Sequence, residues 1–512
     1  ENTSNESFLQ KEYVQSQPLA QLLAPPTAPA KIQPTTTNED KSFSNEPHSD
    51  FSQAAARKAM QASIESVQSQ LGREWHGRAS GIGLTGPWLE SRNPCRPTEI
   101  VARVRSAAVS DLDRVIEQAL TQWDQWRWKV PGTRSEILRQ AALEMSRHRY
   151  ELAAWEIFEV GKPWREADAD VAEAIDFLRY YADEMDRLAK PVRLGSRPGE
   201  LNQRTYTPRG LTVVIAPWNF PLAIPAGMVS AALVTGNPVL FKPSDRSPGL
   251  GTLLTDIFIE AGVPAGCLTC LPGGPEVEAA RVSPGQPMVK RVIAEMGGKN
   301  AMIIDETADL DEAIAGVVAS FSGYAGQKCS ACSRVIVHRT IYDSFVSRLR
   351  EAVLSLDIGD PSRPGTRVGP VIDARAQATI QRYISLGLEE GQLLVQRTAD
   401  QNGYFVGPTV FVDIQPHHRL AQEEIFGPVL AVMKADSFAD AIRLANETEY
   451  ALTGGVYARS PANLVMAREH FDVGNLYLNR PITGALVSRQ PFGGHRFSGV
   501  GAKAGGEDYL AQ

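Results

Sequence analysis

Cys329 stands in Gly326-Gln327-Lys328-Cys329-Ser330, 34 positions after Glu295 in Glu295-Met296-Gly297-Gly298-Lys299. A thiolate attacks carbonyl carbon, and a carboxylate within reach can activate water. Together they suit the oxidation of an aldehyde through a covalent thioester. With no hydride acceptor, the same pair would serve a thiol hydrolase or esterase. Neither residue means much alone, because a free cysteine is more often inert core. Two such motifs at this separation form a constellation.

Further segments extend it. Ala216-Pro217-Trp218-Asn219-Phe220-Pro221, Phe241-Lys242-Pro243-Ser244, Glu423-Glu424-Ile425-Phe426-Gly427-Pro428 and Pro491-Phe492-Gly493-Gly494 follow in that order. With the cysteine and glutamate segments, they resemble the motifs of the aldehyde dehydrogenase superfamily. Gln327-Lys328-Cys329-Ser330-Ala331-Cys332-Ser333-Arg334 and Ile482-Thr483-Gly484-Ala485-Leu486-Val487 are similar to its Δ1-pyrroline-5-carboxylate (glutamate semialdehyde) dehydrogenase branch. The similarity runs from about Asn45 to the C-terminus.

The resemblance implies roles. Cys329 attacks the aldehyde, Asn219 and the Cys329 backbone N–H hold the oxyanion, and Glu295 activates the water that hydrolyses the thioester. Taken alone, Asn219 would be a turn residue between prolines. NAD is the implied cofactor. Lys242 and Glu424 meet its ribose hydroxyls, Phe426 packs beside the nicotinamide ribose, and Ile215, Pro217, Trp218 and Ser244 complete the site. Asp245 adds negative charge that would repel a 2′-phosphate, favouring NAD over NADP; it also reads as an ordinary helix-entry residue. The substrate α-carboxylate falls to the Ser330 hydroxyl and the N–H groups of Gly484 and Ala485, an anion nest. Phe220 and Phe492 would flank its aliphatic chain or serve as plain core. Cys267/Cys270 and Cys329/Cys332 invite a zinc reading. Positions i and i+3 of a strand face opposite sides, and Cys329 is engaged in catalysis, so no metal is expected.

The rest of the chain is consistent with an enzyme. Its 512 residues exceed one core, a net charge of −7 without basic clusters offers no nucleic-acid surface, and five cysteines suit a reducing, cytoplasmic setting. Three prolines interrupt the uncharged run 211–238, which predicts a buried strand and helix instead of a membrane span. Residues 1–50 have linker composition. Glu1-Asn2-Thr3-Ser4-Asn5-Glu6-Ser7 resembles the end of the proline dehydrogenase module of bifunctional proline-utilisation flavoproteins, PutA. FAD would belong to that upstream module, as a covalent or channelling partner. A disordered extension of a single-function enzyme is the alternative.

Beyond that segment, helices and strands alternate, predicting an α/β fold with two parallel-sheet domains. Ser110-Asp111-Leu112-Asp113 reads as a capping box opening a helix through Trp126, with helices then over 135–160 and 166–188. The expected division places the NAD-binding domain at 51–190 with 211–296 and an oligomerisation hairpin at 191–210. The catalytic domain follows at 297–480, with a substrate-anchor segment at 481–512. Between Leu271-Pro272-Gly273 and Glu295 the family carries a strand and helix that find no counterpart here. About 30 residues are absent, a Rossmann-like unit that would contact the pyrophosphate. The expected consequences are weak NAD binding and, with the chain stopping at Gln512, a homodimer weak at best. A cofactor-defective relative retaining thiol esterase activity, or only a scaffold role, is the alternative function.

Overall fold

The computed structural model describes residues 43–76, 81–195, 197–274, 290–399 and 402–512. Most of the expected linker and the junction at 275–289 therefore lie outside the described residues.

Among the described residues the larger sheet has seven strands, in the order Gln392–Gln396, Thr409–Val412, Val429–Ala435, Cys332–His338, Asn300–Ile304, Thr453–Tyr457, Asn475–Leu478. All neighbours run parallel except the first pair. Asn300–Ile304 is buried at every position. That is how a central parallel strand reads when helices cover both faces. Two apolar clusters fill those faces, one around Ile303, Ile336 and Phe411, the other around Met302, Val335 and Phe345.

The smaller parallel sheet has, among the described residues, three strands: Thr212–Ile215, Val239–Lys242 and Leu268–Cys270. Its middle strand is fully buried. Thr212–Ile215 is an edge whose Val213 and Ile215 are exposed. Ala294–Glu295 does not join this sheet; it pairs antiparallel with Gly499–Val500. The uncharged run forms the expected strand and the buried helix Ala223–Val234. Among the described residues, no helix is long and apolar enough to cross a membrane.

Three expectations are corrected. The helix expected over 135–160 is two helices, Pro131–Arg147 and Arg149–Val160, parted at His148, whose φ of −97° and ψ of 14° leave the helical region. The Ser110 capping box is not formed. Instead Asp111, wholly buried, ends a 3₁₀ turn and accepts from the Ala108 and Thr85 N–H groups and the Thr85 hydroxyl, each at 2.9 Å. Those bonds hold its carboxyl at about 2 against the opposing effect of burial. Residues 45–50 are also not free linker. Glu46 is bound by Arg149 and Arg179, and Ser49 donates from both N–H and hydroxyl to Asp168 at 2.7 Å. Their polarity, which suggested disorder, is matched by partners on the fold.

Candidate active site

The nucleophile segment begins where the helix Leu310–Ser322 ends. Asp309 caps that helix by accepting from the Asp311 and Glu312 N–H groups. Tyr324 and Ala325 then adopt φ of 51° and 53°, followed by Gly326 at 69°. A left-handed backbone at non-glycine residues costs about 1–3 kcal/mol each and persists only where surroundings impose it. Tyr324 donates its hydroxyl to the Val160 carbonyl at 2.7 Å. Buried Gln327 donates to the Tyr324 and Pro370 carbonyls and accepts from the Ile372 N–H. A Cβ on Gly326 would overlap the Gly427 carbonyl, so only glycine fits. Lys328 is anchored to Glu166 at 2.6 Å. The sequence marks none of this tight turn beyond its glycines.

Asn300 closes the far side. Its amide donates to the Cys329 carbonyl at 2.7 Å and the Ala331 carbonyl at 2.9 Å, and accepts from the Thr453 N–H at 3.0 Å. Sequence reasoning missed it; an asparagine opening a strand carries no distinguishing signal. Asn300→Ala leaves these groups unpaired and should lower kcat about 100-fold through misplacement of Cys329. Single-turnover kinetics on folded protein would check it.

Glu295 reaches this segment from its strand against Gly499–Val500. Its carboxylate is hydrogen-bonded to the Cys329 thiol. Burial of that carboxylate raises its pKa to about 7, against the thiol contact, although the residue as a whole stays exposed. Burial, then the Glu295 charge, push the Cys329 thiol well above its usual range. Resting Cys329 is therefore a thiol facing its base. Gly297 and Gly298 let three groups converge. A Cβ on Gly297 would overlap the Glu424 carboxylate, and one on Gly298 would stand 2.7 Å from the Cys329 carbonyl. The Gly298 N–H donates to Glu424 at 2.9 Å.

The remaining expected residues fall on several elements, and only some of them have contacts with the nucleophile segment. Asn219 is buried and spends one amide hydrogen on the Gln327 carbonyl at 3.1 Å, leaving its other hydrogen for an oxyanion. Phe426, at φ 57°, meets Trp218 edge-on at 5.7 Å, and Trp218 meets Tyr324. Phe220 has the buried Lys162 ammonium 4.3 Å over its ring, and Lys162 is itself held by Glu156 and Asp170. Ile215, Pro217, Lys242 and Ser244 lie at or just beyond the ends of the small sheet's strands, while Asp245 is exposed. Such strand ends are where dinucleotides bind in open α/β sheets.

Ser330 is buried beside Cys329. Gly484 and Ala485 lie on a separate loop, with Gly484 at φ 74° facing open space. Arg480 holds that loop from one side: it donates to the Gly484 carbonyl at 3.2 Å and sits 4.9 Å over Tyr477. Phe492 exchanges backbone bonds with Ala504 at 2.8 Å. Burial pushes Cys267 and Cys270 to about 12, the reverse of what thiolate metal ligands need.

The aldehyde dehydrogenase family profile matches residues 85–284 and 281–512. The chain belongs to the aldehyde dehydrogenase family. It is 45% identical to a Geobacillus kaustophilus 1-pyrroline-5-carboxylate dehydrogenase, over 91% of this chain and 97% of that protein. A Bacillus subtilis 1-pyrroline-5-carboxylate dehydrogenase is 41% identical with the same coverage. Among solved structures, a Thermus 1-pyrroline-5-carboxylate dehydrogenase with bound NAD superposes with a TM-score of 0.89 at 41% identity, covering 92% of this chain and 97% of that one. Proline utilization A from Bdellovibrio bacteriovorus superposes at 0.93 with 42% identity. It covers all of this chain, which spans 56% of that protein's length.

The family match breaks in two at 281–284, inside the junction where a strand and helix were expected to be missing. The Geobacillus alignment takes 498 positions while using 91% of 512 residues, about 466. Some 30 positions of that aldehyde dehydrogenase thus face no residue here, and among the described residues the small sheet has three strands.

Proposed function

We propose that the chain oxidises L-glutamate γ-semialdehyde, the open form of Δ1-pyrroline-5-carboxylate, to L-glutamate with NAD as hydride acceptor, the second step of proline catabolism. The observation that carries this is the Cys329 thiol on the Glu295 carboxylate, with Ser330 next to it in the chain and the branch-like Gly484–Ala485 on a separate loop. Named 1-pyrroline-5-carboxylate dehydrogenases at 41–45% identity support it, and favour it over a cofactor-defective esterase or scaffold.

Cys329 passes its proton to Glu295 as the sulfur attacks the aldehyde carbon. The free Asn219 amide hydrogen and the Cys329 backbone N–H hold the oxyanion. A bound NAD would supply the hydride acceptor, and loss of hydride from that carbon would leave a thioester on Cys329. Glu295, exposed enough to return its proton to solvent, then deprotonates the hydrolytic water; glutamate leaves and the thiol is restored. Ser330, Gly484 and Ala485 bind the α-carboxylate, with Phe220 and Phe492 along the chain. Lys242, Ser244, Glu424 and Phe426 hold the ribose groups, with Ile215, Pro217 and Trp218 as walls and Asp245 disfavouring NADP. The cofactor domain comprises 51–190 and 211–296, and the catalytic domain 297–480.

Formation of NADH at 340 nm with pyrroline-5-carboxylate is the test. Ester cleavage without any NADH formation would instead reveal a thiol hydrolase, and silence in both assays a scaffold. A base acts when ionised, so the hydrolytic step should accelerate as pH rises through about 7 and fade below it. Stopped-flow deacylation rates across pH 6–8 would check this; a flat profile contradicts Glu295 as base.

The exposed hairpin of Val192–Arg193 with Gln203–Arg204, bearing Leu194, Leu201 and Tyr206, supports a weak homodimer, testable by sedimentation. Likeness to proline utilization A supports covalent or channelling partnership with a proline dehydrogenase module.

A further inference from the structure

The loop Ile482–Val487 carries Gly484 and Ala485 at its apex, where Gly484 is exposed and meets open space. Such an apex can present two N–H groups in a fixed direction only if both of its legs are held. The leading leg is fixed by Arg480 and by the Ile482 N–H donating to Ser320. The trailing leg is fixed at Val487, whose side chain is buried and whose carbonyl accepts from the Asn45 side chain at 2.9 Å.

Asn45 lies 442 positions away in sequence. Its single amide nitrogen has two hydrogens, and both are engaged: one on the Val487 carbonyl, the other on the Asp176 carboxylate at 2.8 Å. Asp176, 2% exposed on the helix Trp164–Leu188, also accepts from the Glu46 N–H at 2.7 Å. A rigid helix thus holds the strap 45–50, and the strap holds the loop. Aspartate cannot replace Asn45, because the bridge needs two donors on one atom.

We propose that Asn45 is a positioning residue for substrate recognition, setting the peptide plane at Val487 so that the Gly484 and Ala485 N–H groups face the substrate α-carboxylate. This rests on the semialdehyde reading above. It assigns Asn45 no part in attack, hydride transfer or cofactor binding. Its removal acts on substrates carrying a carboxylate and spares simple aldehydes.

The test compares wild type, Asn45→Ala and the exchange Asn45→Asp with Asp176→Asn, at saturating NAD. In the exchange, the amide introduced at position 176 can donate to the carboxylate introduced at position 45 while still accepting from the Glu46 N–H. Strap docking is restored, but no donor is left for Val487. Asn45→Ala should raise KM for pyrroline-5-carboxylate about tenfold, leaving kcat and the propanal kcat/KM within twofold. The exchange should recover any lost Tm yet keep the raised KM. Unchanged KM in Asn45→Ala, an equal loss with propanal, or normal KM in the exchange would each overturn the proposal. A wild type inactive on pyrroline-5-carboxylate would instead defeat the functional reading beneath it.

Discussion

Cys329→Ala should abolish NADH formation from pyrroline-5-carboxylate and ester hydrolysis together, a loss of more than about 10⁴-fold. Both reactions require a sulfur at one place, and the other four cysteines, Cys95, Cys267, Cys270 and Cys332, are buried. The neighbouring base separates the two halves of the reaction. Glu295→Gln removes the acceptor of the water proton, so an acyl-enzyme should accumulate and appear as an adduct on the Cys329 peptide by mass spectrometry. Without the Glu295 carboxylate the raised Cys329 thiol must give its proton to solvent water, which slows the first attack. The variant should therefore show one slow turnover of NADH per site and then stop. Steady turnover by Cys329→Ala would end the assignment.

The chemistry was legible because its residues sit in short, dense motifs. Strands such as Val239–Lys242 were legible because a buried β-rich run between turn residues has few other solutions. What holds those motifs in place was not. Asn300, Gln327 and Asn45 act through single amide groups on backbone atoms distant in sequence, and no local pattern announces such a bond. The paired left-handed residues Tyr324 and Ala325 run against propensity, so tertiary contacts alone explain them. The helix break at His148 has the same character: amphipathic periodicity continues through it, and the redirection follows from Arg149 binding Glu46 and Asp168. Composition misled at 45–50, where polar residues were read as solvated although the fold supplies their partners.

The second large effect concerns the small sheet. A strand and helix following Gly274 would cover the edge Thr212–Ile215, where Val213 and Ile215 are now exposed, and would aim a helix N-terminus at the cofactor pyrophosphate. Some 30 positions of the Geobacillus relative find no residue in this chain, the family match divides at 281–284, and 15 residues, 275–289, are too few for a whole strand-and-helix unit. With Lys242, Glu424 and Phe426 on the ribose groups as proposed, turnover should survive while affinity suffers. KM for NAD should exceed about 1 mM, the upper end of the ordinary range. Grafting the corresponding segment of the Geobacillus relative between Gly274 and Lys290 should lower KM at least tenfold and raise Tm, with kcat little changed. The Tm gain separates the two contributions: burial of Val213 and Ile215 acts without cofactor, whereas the pyrophosphate contact appears only in titrations with NAD. Micromolar NAD binding by the unmodified chain in calorimetry would show that residues 275–289 already do what the missing unit does elsewhere in the family.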